Sequence, residues 1–123
     1  MSRADFILDL VVKAAPYRDI LSGIKPEEYR ANKDGEYGWA EKLVSDRFKY
    51  STGLPWSVTI PKLQPHNFHP YHTARISLGY ASDRPSHLRK IRGIRWGAPN
   101  PVWCYGIVTA EKCFIIELGE IIA

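Results

Sequence analysis

The sequence predicts an α+β domain, a small mixed β-barrel in which two or more helices interrupt five to six strands. Three observations point there. Apolar runs of strand length lie at residues 6–12 and 113–122, helical spacing of apolar residues recurs at 17–21 and 39–48, and residues 71–81 alternate in part between apolar and polar.

Taken in order, Phe6-Ile7-Leu8-Asp9-Leu10-Val11-Val12 predicts a buried strand. Tyr17, Ile20 and Leu21 share one helical face, and Pro16 falls in the first turn, where its missing N–H costs little. Gly23 is the expected residue just past the helix end, able to adopt a left-handed conformation without a Cβ clash. Pro26 pushes Lys25 out of the α region, so the chain leaves the helix extended and enters a second strand. Apolar residues at 39, 40, 43, 44 and 48 predict a helix over residues 39–48, with Trp39 on its core face. Residues 50–70 contain Pro55, Pro61, Pro65 and Pro70 and predict loops or edge segments. Residues 71–81 predict a strand with Thr73, Arg75 and Ser77 on its polar face. Apolar residues at 88, 91, 94 and 96 fit no single strand phase, which predicts a bulge near Gly93. Residues 105–108 and 113–122 predict a hairpin turning through Thr109-Ala110-Glu111-Lys112.

A chain of 123 residues is expected to form a single domain, spanning residues 1–123, with one core. Apolar residues at 45% and charged residues at 24% are ordinary for a globular chain, which argues against wholesale disorder. No apolar stretch approaches membrane-spanning length, and Met1-Ser2-Arg3-Ala4-Asp5 lacks a signal-peptide layout, so no membrane partner and a cytoplasmic location are expected. Cys104 and Cys113 have no Cys-x-x-Cys spacing and are expected to be reduced structural thiols. A net charge of +4 permits nucleic-acid binding without requiring it.

The segment Leu21-Ser22-Gly23-Ile24-Lys25-Pro26-Glu27-Glu28-Tyr29-Arg30 carries the densest chemistry. On an extended chain Glu28 and Arg30 lie two apart and share a face, while Glu27 and Tyr29 share the other. With Lys25 just upstream, a carboxylate and two cations converge. Such a patch can be a structural ion pair on a barrel rim, bind an anion, or tune a lysine for chemistry.

The spacing Gly-x-Lys-x-x-Glu-x-Arg, here Gly23, Lys25, Glu28 and Arg30, resembles the signature of the ASCH domain family. So do its position after a strand and a short helix and the later blocks Gly79-Tyr80, Arg84-Pro85, Trp96-Gly97-Ala98-Pro99 and residues 114–120. The second half is similar to small bacterial and phage members. The resemblance implies a PUA-like barrel whose mouth, lined partly by Lys25, Glu28 and Arg30, takes RNA or a modified nucleoside. Some family members are amidohydrolases of N4-acylated cytidines, using a lysine, a threonine and a glutamate. Lys25 occupies the lysine position, but Glu28 stands where the threonine is expected and Pro26 where threonine is frequent. A carboxylate beside Lys25 favours a charged lysine over a nucleophilic one, so binding is expected ahead of catalysis.

A second group is the basic run Arg84, Arg89, Lys90, Arg92 and Arg95, bounded by Tyr80 and Trp96. Arginines interleaved with aromatic residues suit single-stranded RNA, through phosphate contacts and base stacking; a solvated strand edge is the alternative. Arg75, Arg89, Arg92, Tyr80 and Trp96 therefore join Lys25, Glu28 and Arg30 as expected ligand-binding residues. His66, His69 and His72 lie between prolines with no carboxylate from residue 47 to residue 82, so no metal site is expected. Asp83, Ser86 and His87 supply the residue types of a hydrolytic triad, but their adjacency is no sign of its geometry. There is no phosphate-binding loop or dinucleotide fingerprint, and no cofactor is expected. The expected function is recognition of RNA or a nucleotide. The rivals are a small hydrolase of modified cytidine nucleosides or RNA, using Lys25 and Glu28, and a phage or mobile-element accessory protein that binds a host protein.

Overall fold

The computed structural model describes residues 7–31, 38–48, 53–79, 83–104 and 112–122. Within them lie five strands: β1 (Ile7–Val12), β2 (Glu27–Arg30), β3 (Thr73–Leu78), β4 (Ser86–Gly97) and β5 (Cys113–Ile121). They form one mixed sheet in the order β1-β3-β4-β5-β2, with short helices between strands. This is the α+β class that the sequence predicts, with a sheet that fits a small mixed barrel. The expected strand at 105–108 and most of the hairpin turn after it lie outside the described residues. No helix among the described residues is long and apolar enough to cross a membrane.

The described residues pack as two compact units. One is drawn from Met1–Glu28, Pro70–Gly93 and Ile116–Ala123, the other from Tyr29–His69 and Ile94–Ile115.

In the first unit β1 runs parallel to β3, from Ile7 opposite Thr73 to Val12 opposite Leu78. β3 runs antiparallel to β4, from Thr73 opposite Lys90 to Ser77 opposite Ser86. Alternation sends Leu8, Leu10 and Val12 of β1 into the core with Ala74 and Ile76 of β3. Helix α1 (Ala14–Leu21) packs on β3 and adds Tyr17 and Ile20 to the core. Burying an aliphatic side chain of this size stabilises the fold by about 2 kcal/mol. The helix begins on two alanines with Pro16 in its first turn, and it stops where Gly23 takes φ 84°, donating its N–H to the Ile20 carbonyl. Helix, glycine stop and extended restart are those the sequence predicts. Along β4 the buried positions are His87, Arg89 and Ile91, then Ile94. The inward phase changes parity across Gly93, near which the sequence predicts a bulge, while β4 itself runs unbroken from Ser86 to Gly97.

In the second unit α2 spans Trp39–Leu43 and buries Ala40 and Leu43. The single helix expected over 39–48 is interrupted. Val44 turns extended (ψ 136°) and forms an antiparallel bridge with Phe68, supported by Ser45 N–H to the Asn67 carbonyl and His69 N–H to the Leu43 carbonyl. A separate helical turn starts at Asp46. The proline-rich stretch contains helical turns rather than loops alone: α3 (Trp56–Thr59) and 3-10 turns at Ile60–Lys62 and Pro65–Asn67. Pro55 immediately precedes α3, while Pro61 and Pro65 occupy the first turns of the 3-10 segments, where a ring-fixed φ helps and no N–H is required. Phe114 is fully buried, with Phe68 and Trp96 meeting it edge-on at centroid distances of 6.1 and 4.9 Å.

Candidate ligand-binding site

Lys25 sits in the extended link between the Gly23 turn and β2. Its backbone N–H donates to the Asp19 carbonyl, and the next carbonyl, that of Pro26, accepts from Leu118 N–H on β5. The loop is thus held to α1 on one side and to β5 on the other. These anchors turn Lys25 inward, where its Nζ donates to Glu28 Oε1 at 2.7 Å. The side chains are 3% and 6% exposed, so the pair is buried rather than set on a rim. Removing both charges from water is costly, and only close mutual bonding offsets it.

The two-residue period of β2 puts Arg30 on the strand face of Glu28, as expected. The Arg30 guanidinium lies 5.1 Å from the centroid of the Trp39 ring, and Lys42 Nζ lies 4.9 Å from the same ring. Trp39 is half-buried between cations rather than a core residue. Its spacing to Lys42, one helical turn, was the available signal. Tyr29, on the opposite face of β2, accepts the Asn100 backbone N–H at its hydroxyl.

The basic run divides. Lys90, Arg92 and Arg95 are exposed, but Arg89 is only 7% exposed and belongs to the inward face of β4. Its guanidinium donates to the backbone carbonyls of Ile20 and Gly119. Burial lowers the Arg89 pKa without removing its charge at neutral pH. Arg89 is therefore inside the fold and not part of an exposed basic stripe. Arg75 pairs with Asp9 at 3.0 Å on a half-exposed surface. Trp96 is half-buried against Phe114, and Tyr80 lies outside the described residues.

His87, also inward on β4, meets the Tyr17 ring edge-on at 5.4 Å, and neither ring nitrogen has a hydrogen-bond partner among the described residues. Burial and then the charge of Arg89 push its pKa down. Among the described residues no hydrogen bond joins His87 to Ser86 or Asp83, so these three are not arranged as a hydrolytic triad. His69 Nε2 is 3.9 Å from Asp46, and His72 shares a 2.8 Å bond with Thr73. Among the described residues no group of three or more His, Cys, Asp or Glu side chains is arranged to hold a metal ion. Cys104 and Cys113 are both free thiols.

No family model, curated protein or solved structure matches this chain.

Proposed function

We propose that this protein is an ASCH-type, PUA-like domain that recognises RNA or a nucleotide through Lys25 and Glu28, with Arg30 contacting phosphate or a base edge. The observation that carries this is the buried ammonium–carboxylate pair. Such a pair adds little net stability compared with apolar residues of similar volume, so its use in so small a core favours a role beyond packing. Parted by a ligand, it would offer a donor beside an acceptor. The Watson–Crick edge of cytosine, and likewise of adenine, offers an amino donor beside a ring-nitrogen acceptor. A carboxylate accepting from the amino group while an ammonium donates to the ring nitrogen is a matched contact. The fold has already stripped water from both groups, so a ligand with that edge replaces their mutual bond at the cost of desolvating its own edge alone.

Recognition is favoured over hydrolysis because the Lys25 amine is held by the Glu28 carboxylate at 2.7 Å, and nucleophilic attack would require its release. Incubation with N4-acetylcytidine and with short RNAs, assayed for turnover and for binding, separates the two. Binding without turnover is expected. Turnover would make the protein a hydrolase, and neither binding nor turnover would return the pair to a structural role.

A further inference from the structure

The buried Arg89 sits where an aliphatic side chain would need no partners, whereas a buried guanidinium is destabilising until its donors are bonded. What it bonds explains its place. One arm donates to the carbonyl of Ile20, in the last turn of α1, where a cation also meets the negative end of the helix dipole. The Nε–H donates to the carbonyl of Gly119 on β5 at 2.7 Å. Each carbonyl lies one residue from an anchor of the Lys25 loop. Asp19, beside Ile20, accepts the Lys25 N–H at 2.9 Å, and Leu118, beside Gly119, donates to the Pro26 carbonyl at 2.8 Å. Ile20 also accepts the N–H of Gly23, the residue that opens the loop. One guanidinium thus spans the two backbone segments between which Lys25 is held.

We infer that Arg89 is a positioning residue for the Lys25–Glu28 site, fixing α1 and β5 on either side of the Lys25 loop without meeting the ligand. This rests on the proposal that the pair is the ligand-binding centre. It assigns Arg89 a function different from phosphate contact. An arginine that touches phosphate contributes to the salt dependence of binding, whereas one that acts through backbone carbonyls does not.

The test compares Arg89→Met with the parent in two assays. In the first, binding of a fluorescent eight-nucleotide oligocytidine is followed from low to high salt. The folded variant is expected to bind roughly tenfold more weakly with an unchanged log–log salt slope. A slope shallower by about 0.7 would show direct phosphate contact and overturn the inference. In the second, amide hydrogen exchange is followed at Lys25 and Leu118, with Leu10 and Ile76 as references. Exchange at Lys25 and Leu118 should speed up selectively. Uniform acceleration across all four amides, or wild-type affinity in a variant that is merely less stable, would make Arg89 an ordinary core residue. If the parent binds no oligonucleotide, the proposed function fails while the exchange comparison still decides the role of Arg89. Where Arg89→Met does not fold, Arg89→Lys carries the same comparisons, keeping the charge and the reach for one carbonyl, with an intermediate loss expected.

Discussion

Lys25 Nζ and Glu28 Oε1 lie 2.7 Å apart, with side chains only 3% and 6% exposed, whereas Arg75 and Asp9 form a pair at 3.0 Å that is 44% and 52% exposed. The two ion pairs have similar geometry and opposite surroundings. Their energetics should differ accordingly, because removing one member of a buried pair strands a charge in a medium of low polarity.

Lys25→Met alone should cost about 3 kcal/mol or more, and the double variant Lys25→Met/Glu28→Leu should recover most of that loss. Arg75→Ala should cost less than about 1 kcal/mol, and even less at high salt. Urea unfolding midpoints of the four proteins decide this. A Lys25→Met variant as stable as Arg75→Ala would mean that the buried pair is open to water in solution.

Gly23→Val should destabilise the fold by about 1–2 kcal/mol, and Gly23→Asn by less. A Cβ at this position would meet nothing within 4 Å, so the cost comes from the backbone at φ 84° and not from a clash. Equal midpoints for parent, Asn and Val proteins would remove the left-handed stop at the end of α1.

Stability should fall as pH drops below about 6.5, and His87 is the reason. Its pKa in the fold is depressed by burial and by Arg89 from the ordinary value of 6.5. The unfolded chain therefore binds more protons than the folded one below that value. The stabilising contribution is complete above pH 6.5 and is lost as the pH falls through the window between unfolded and folded pKa. Unfolding midpoints at pH 7.5, 6.5 and 5.5, about where carboxylates remain ionised, should decline in the parent and decline less in His87→Phe. A parent that gains stability over that interval would contradict the placement of His87.

The association of Lys25 with Glu28 was legible in the sequence because it is local: a glycine stop, an X-Pro restart and a three-residue spacing determine it. Its burial was not, since that depends on β5 closing over the loop through the bond from Leu118 to Pro26. Strand face, and not charge along the chain, decides the place of Arg89. Ile91 is apolar and two residues away, and the same parity carries His87 and Arg89 inward. The break in the helix after Leu43 was invisible locally, because Val44 leaves the helix to pair with Phe68. The prolines that predict loops or edge segments instead start helical turns in residues 55–67, since a proline in a first turn and one in a loop look alike without the boundaries.

The central claim is that the buried donor and acceptor recognise an amino-bearing base. The most direct measurement is the affinity of eight-nucleotide oligocytidine and of its N4,N4-dimethylated counterpart, which lacks the amino donor, for the parent and for Lys25→Met/Glu28→Leu, which removes both charges without stranding either. The parent should prefer oligocytidine by roughly tenfold, the scale of one matched two-bond base contact. The double variant should lose that preference while remaining folded. A parent that binds neither oligomer or both alike, or a double variant that retains the full preference, would contradict it.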